Sequence, residues 1–207
     1  MEMAVSPSLT TTPAPSEESL RAGAYTLLAR LLAMPPDGEL LDRLAAVEVD
    51  GQTGPGLASA WGMLALAARR TTPEAAAEEY QALFIGLGRG ELVPYASYYL
   101  TGFLMERPLA LLRRDLAALG FEREAEVCEP EDHAAALCEV MALLVDGEGS
   151  AAMPEVQRAF FDAHLASWMG RFFADLRESH NGRFYRAVGQ FGEAFVGNEQ
   201  RYYAMPV

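Results

Sequence analysis

The residues best equipped for chemistry lie in one short run, CEPEDHAAALCEVMALL, residues 128–144. Glu129, Pro130, Glu131, Asp132 and His133 stand directly before a long apolar stretch. A carboxylate beside a histidine that titrates near neutrality suits acid–base work, a metal, or receipt of a guanidinium. A metal is the poorest fit. Cys128, His133 and Cys138 match neither the H-E-x-x-H pattern nor the C-x-x-C pair, and His164 and His180 fall on other elements. Nucleophilic catalysis lacks a G-x-S-x-G elbow, and Asp132 and His133, read as neighbours on one helix, point about 100° apart and cannot line up as a triad alone. A plain helix start accounts for part of the run, with Pro130 in the first position and Glu131 and Asp132 in the first turn, where the helix dipole favours acids. Glutamate is a weak cap, however, and the helix behind it is apolar nearly all round, so its polar mouth is expected at a cleft between helices. There Asp132 is placed to receive a guanidinium in a bidentate bond, with His133 beside it.

A second cluster, YQALFIGLGRGELVPYASYY, gathers Tyr80, Phe84, Tyr95, Tyr98 and Tyr99 around a glycine-rich loop and Pro94. Single aromatics of this kind fill cores; as a group beside a mobile loop they suit the wall of an apolar groove for a peptide. The loop reads G-x-G-x-G after a helix, so it lacks the strand–turn–helix context of a phosphate cradle.

These pieces must be held by helices. The 207 residues are 51% hydrophobic, rich in alanine and leucine, and show no sustained two-residue alternation and no repeat. The expectation is an all-α, single-domain bundle of about eight to ten helices over residues 16–207, behind a disordered Ser/Thr/Pro-rich tail at 1–15. Ser16 caps the first helix, which Pro35 and Pro36 end; a short helix follows Asp37; GQTGPG at 51–56 is a linker; Thr72 and Pro73 start a helix that runs to about Ile85. YASYYLTGFLM reads as a helix, and the next opens at Pro108 and closes at Gly120. Pro130 begins a helix to about Val145, Pro154 one continuous helix to HNG at 180–182, and the last runs from Arg183 to roughly Glu199.

The formal net charge is −13, and all 16 basic residues are arginine. That argues against a nucleic-acid binder and suits either solubility or a basic partner. Two cysteines at C-x9-C form no disulfide framework, the N-terminus has no secretory signal, and no run reaches membrane-spanning length. The cytoplasm is the expected location.

Together, EYQALFIG…PYASYY and the EPEDH that opens an apolar helix some thirty residues later resemble the TorD/DmsD family of redox-enzyme maturation chaperones, part of the NarJ-like superfamily. HLASWMGRFF and FYRAVGQF are similar to that family's C-terminal helices. The resemblance runs from about Glu17 to the last helix. It implies a TorD-like, all-helical cytoplasmic chaperone, not an enzyme, without a cofactor or metal of its own. It implies as partners the twin-arginine leader and the catalytic subunit of a molybdenum-cofactor oxidoreductase, whose export the chaperone holds back until cofactor insertion. The monomer and the dimer are both open. By position, Tyr80, Leu83 and Phe84 match the family's aromatic–x–x–Leu–Phe element, Pro94, Tyr95 and Ser97 its Pro–aromatic–x–Ser element, and Glu129, Pro130, Asp132 and His133 its hallmark motif. Tyr80, Gly88, Tyr95 and Tyr99 stand where DmsD-like members carry tryptophan, so the client is not named. A leader of two arginines and an apolar stretch complements both clusters, with an affinity of about −8 to −9 kcal/mol after ordering costs. The alternatives are a leader-independent assembly chaperone, as in NarJ-like relatives, and a remote His/Asp acid–base enzyme.

Overall fold

The computed structural model describes residues 16–48, 56–86, 89–122, 129–147 and 153–205. The expected tail at 1–15, most of the GQTGPG linker, and Gly88 and Cys128 lie outside them. Among the described residues there are ten α-helices, no β-strand and one isolated antiparallel bridge.

Several helices begin where local chemistry says they should. In α1 (Glu17–Ala33) the Ser16 side chain accepts from Ser19 N at 3.1 Å, and Glu17 and Glu18 occupy the first turn. Asp37 caps α2 (Gly38–Ala45) by accepting from Leu40 N at 2.8 Å. After α3 (Leu57–Ala68), Thr72 caps α4 (Pro73–Tyr80), and the chain continues as one wide π-turn, Gln81–Ile85.

Four elements depart from the periodic reading. Only Ala96–Thr101 of YASYYLTGFLM is helical (α5), because Gly102 takes a left-handed conformation, φ +85°, and turns the chain out. Phe103, Leu104 and Met105 are left exposed before α6 (Arg107–Ala118). The helix expected from Pro130 starts instead at Ala134 (α7, Ala134–Asp146), and Pro130–His133 is a turn. The long helix expected from Pro154 is two, α8 (Pro154–His164) and α9 (Met169–Glu178). The break at residues 165–168 lets Leu165 and Trp168 both bury completely, with Trp168 Nε1 donating to His164 O at 2.8 Å. Finally, α10 runs Phe184–Ala204, five residues beyond the expected end.

The C-terminal part of this helix carries a buried polar cluster. Glu199 accepts from Arg21 Nε and Nη2 at 2.8 Å each and from Tyr25 OH at 2.9 Å, while Arg21 also donates to Tyr203 OH at 2.5 Å. The Arg21 guanidinium lies 4.0 Å from the centre of the Tyr202 ring. Both members of the pair are buried, and α1 is thereby fastened to the C-terminal helix. Around it, α1 packs on α7, and α10 packs on α9 and α3. Gly189 and Gly192 bring α10 close: a Cβ at Gly189 would stand 2.4 Å from Arg177 N, and one at Gly192 would stand 2.3 Å from the Phe173 ring. The apolar helix α7 buries Ala134, Leu137, Cys138, Met141, Leu144 and Val145, although Leu143 faces outward.

Candidate functional site

The EPEDH run meets the Pro94–Ser97 run at the N-terminal ends of α5 and α7. Two backbone bonds join them, Ala96 N to Asp132 O at 3.0 Å and Ala134 N to Pro94 O at 2.8 Å, which is the Tyr95–His133 bridge. Neighbouring side chains then cap different helices. Asp132 Oδ2 accepts from Ser97 N at 2.8 Å and from the Ser97 hydroxyl, which serves the start of α5, where Tyr95 offers no capping side chain. His133 Nδ1 accepts from Ala135 N at 3.1 Å and caps α7. So Asp132 does not sit in the first turn of the helix that follows it; it closes the helix that precedes it by some thirty residues.

That arrangement buries Asp132 to 1% exposure. One of its oxygens, Oδ1, has no hydrogen-bond partner among the described residues. A buried carboxylate oxygen left unpaired costs more than a kilocalorie, on the order of 1–3 kcal/mol. The side chain lines a cavity of about 230 Å³ between α5, α6, α7 and α8. Leu100, Pro108, Leu111, Leu112 and Leu137 supply its apolar wall, and His164 and Asp115 sit at another edge, bonded at 3.0 Å. Leu100 and Leu111 are themselves exposed and continue outward into Phe103, 69% exposed, Leu104, and Met105, 73% exposed. A deep carboxylate oxygen and a surface apolar patch therefore share walls.

The remaining motif residues frame this junction. Tyr95 packs edge-on against His133, ring centres 4.9 Å apart, and its hydroxyl donates to Glu129, which is exposed. Burial, then that carboxylate, hold the Tyr95 phenol well above its ordinary range. Burial holds His133 below the usual imidazole range against the opposing pull of Glu129 and Asp132, consistent with a neutral ring that accepts at Nδ1. Pro130 shapes the turn by accepting from His133 N at 3.1 Å, and Glu131 is paired with Arg113 at 2.8 Å.

Tyr80, Leu83 and Phe84 do not line an open groove with the tyrosines. The Tyr80 hydroxyl donates to Leu32 O and Ala33 O at the end of α1, and its ring meets Phe84 and Tyr185. Leu83 is fully buried. Burial, then the Glu129 charge, raises the Tyr80 pKa above its ordinary value. Tyr99 packs on Trp168 and Phe172 and donates to Asp175 at 2.9 Å, and Tyr98 faces Arg89. The expected aromatic wall is thus divided among three neighbourhoods. Nor is the described part of the glycine loop a free flap. Glu91 N and Leu92 N bond Ala82 O and Leu83 O, and the Glu91 carboxylate accepts from His180 N and Asn181 N. The apolar patch at 100–111 was missed from sequence, although Gly102 before Phe-Leu-Met was a stop signal for the helix.

Among the described residues no three His, Cys, Asp or Glu side chains gather as a metal site, and no helix is long and apolar enough to cross a membrane.

Comparison with known proteins places this geometry. A family model described as nitrate reductase delta subunit matches residues 51–174. The chaperone protein TorD of Shewanella pealeana is 26% identical over 200 residues, covering 88% of this chain and 89% of the relative. TorD of Shewanella loihica is 28% identical over 210 residues, covering 92% and 94%. A solved structure described as a redox enzyme maturation protein from Archaeoglobus fulgidus shares the fold with a TM-score of 0.58 at 18% identity, covering 92% of this chain and 99% of that one. With more than half of its length inside the family model and TorD chaperones aligned over most of the remainder, the chain belongs to the nitrate reductase delta subunit family, in its TorD/NarJ group, and is a chaperone rather than an enzyme.

Proposed function

We propose that this chaperone binds, in the cytoplasm, the twin-arginine leader of a molybdenum-cofactor oxidoreductase, holding back export until the cofactor is in place, and that it also touches the apo catalytic subunit. The observation that carries this reading is the buried, unpartnered Oδ1 of Asp132, a side chain that lines a cavity whose wall residue Leu100 leads into the exposed Phe103–Met105 patch. A guanidinium donates to a carboxylate oxygen while its stem lies along leucines, and a following apolar stretch covers the patch. Glu129, hydrogen-bonded by Tyr95 at the surface, offers a second carboxylate for the neighbouring arginine. Pro94, Ser97, Pro130 and His133 hold the two carboxylates in place, and Tyr80, Leu83 and Phe84 back the junction.

The test is titration of a labelled twin-arginine leader peptide, with its twin-lysine counterpart, into the wild type and Asp132→Asn. Asparagine keeps an acceptor for Ser97 N and removes the charge. Binding of the arginine peptide that falls about tenfold in the variant, with little effect on the lysine peptide, supports the reading. Equal binding of both peptides to both proteins overturns it. A client catalytic subunit that binds equally well with its leader deleted points to the leader-independent assembly chaperone instead.

A further inference from the structure

A second concavity, which shares no lining residue with the Asp132 cavity, opens between α3, α4 and the start of α10, with a volume of about 940 Å³. Arg70, Arg177, Arg183 and Arg186 line it, a quarter of the basic residues of a chain whose net charge is −13. The Arg70 and Arg183 guanidiniums have no hydrogen bond or ion pair among the described residues, and Arg186 bonds only a backbone carbonyl, Arg177 O at 3.0 Å. Arg177 is already paired with Glu193 at 2.6 Å. The same lining has an apolar part, made of Met63, which is exposed, Leu66, Ala67 and Ala82.

We infer that this groove docks an acidic, amphipathic segment of a protein partner. Two observations select carboxylates on a peptide over a free phosphate. The first is that the amides which a phosphate would use are taken. The N–H groups of Arg183, Phe184 and Tyr185 at the head of α10 all donate to Glu79, at 2.7–3.2 Å. Glu79 is spent on these backbone groups, and with the exposed Glu78 it sets two carboxylates against four guanidiniums in the lining. The second is the floor. Apolar side chains and guanidiniums from separate elements in one lining fit a segment that alternates acidic and apolar residues, whereas a small anion leaves Met63 and Leu66 uncovered. On a molecule of strong negative charge an acidic segment is repelled elsewhere and focused here, which fixes where and how it lands.

The probe is a labelled helical peptide of about fifteen residues, with glutamates spaced i, i+4 along one edge of a Leu/Ala face, beside a twin in which every glutamate is glutamine. Fluorescence anisotropy at about 50 mM and about 200 mM salt reads the affinity. The acidic peptide is expected to bind about tenfold or more tightly than its twin, to weaken with salt, and to lose about tenfold in Arg70→Ala/Arg183→Ala. Both side chains are exposed, so a melt matching the wild type shows that the fold is intact. Asp132→Asn leaves this binding unchanged, so failure of the leader reading and failure of this one are separable. Equal binding of the two peptides, or no loss in the double variant, overturns the inference. Displacement by ATP or inorganic phosphate from the wild type but not from the variant overturns it too, in favour of a small-anion site.

Discussion

Asp132 gives the sharpest stability prediction, because the structure assigns it a job that does not depend on any ligand. Replacing it with alanine removes the acceptor for Ser97 N and for the Ser97 hydroxyl together. Loss of the cap costs about 1 kcal/mol, and loss of a charge-assisted bond to the hydroxyl about 1.5–3 kcal/mol. Removing the unpartnered Oδ1 gives some of that back. The net expectation is about 2–3 kcal/mol, or roughly 4–12 °C in Tm for a chain of this size. Asp132→Asn keeps one acceptor and should cost about 1 kcal/mol. Ser97→Ala should cost about 1 kcal/mol alone and much less in the Asp132→Ala background, because the two residues share the interaction. Urea denaturation of the wild type and these four variants, with matching slopes, completes the cycle. If alanine and asparagine at 132 are equally costly, or the Ser97 and Asp132 losses simply add, the cross-capping argument is wrong.

Glu199→Ala leaves a buried guanidinium unpaired and should cost about 3–5 kcal/mol, whereas Arg21→Met with Glu199→Leu should recover most of that loss in the same denaturation assay. Gly189→Ala drives a methyl into the α9 backbone and should destabilise by about 2 kcal/mol or more, against little effect for the exposed, unobstructed Gly23→Ala. Burial holds His133 below the unfolded value near 6.5, so the unfolded chain takes up the proton first. The stability it contributes is complete above about pH 6.5 and drains as the pH falls through the folded value. His164 is lowered in the same sense, mainly by burial, so the slope of stability between about pH 7.5 and 5 should be reduced but not abolished in His133→Asn, which keeps a capping acceptor.

Much of the fold is written locally. Ser16, Asp37, Thr72 with Pro73, and Gly120 with φ +82° each act within four residues of themselves, and each was readable. The errors come where a distant contact overrides the local pattern. EPEDH has the composition of a helix start, yet its acid is spent on a helix more than thirty residues earlier, which delays α7 to Ala134. The apolar spacing of residues 154–178 runs through 165–168, and the break there goes with tertiary burial of Leu165 and Trp168 that spacing alone does not encode. In the C-terminal NEQRYYAM, Glu199 acquires its meaning only from Arg21, 178 positions earlier. At the site, the residue types and the meeting of two motifs were legible, whereas the cavity and the exposed Phe103–Met105 patch depend on how α5, α6, α7 and α8 converge.

The fastening of α1 to α10 also sets a clock. Arg21 and Glu199 are 178 positions apart. On a ribosome adding about 5–20 residues each second, the arginine waits on the order of 10–40 s for its counter-charge. Until then, closing α1 on α7 buries a guanidinium without its carboxylate, a cost of about 3–5 kcal/mol that Glu199 removes. The pair that fastens the first helix to the last is therefore complete only when the last helix is made.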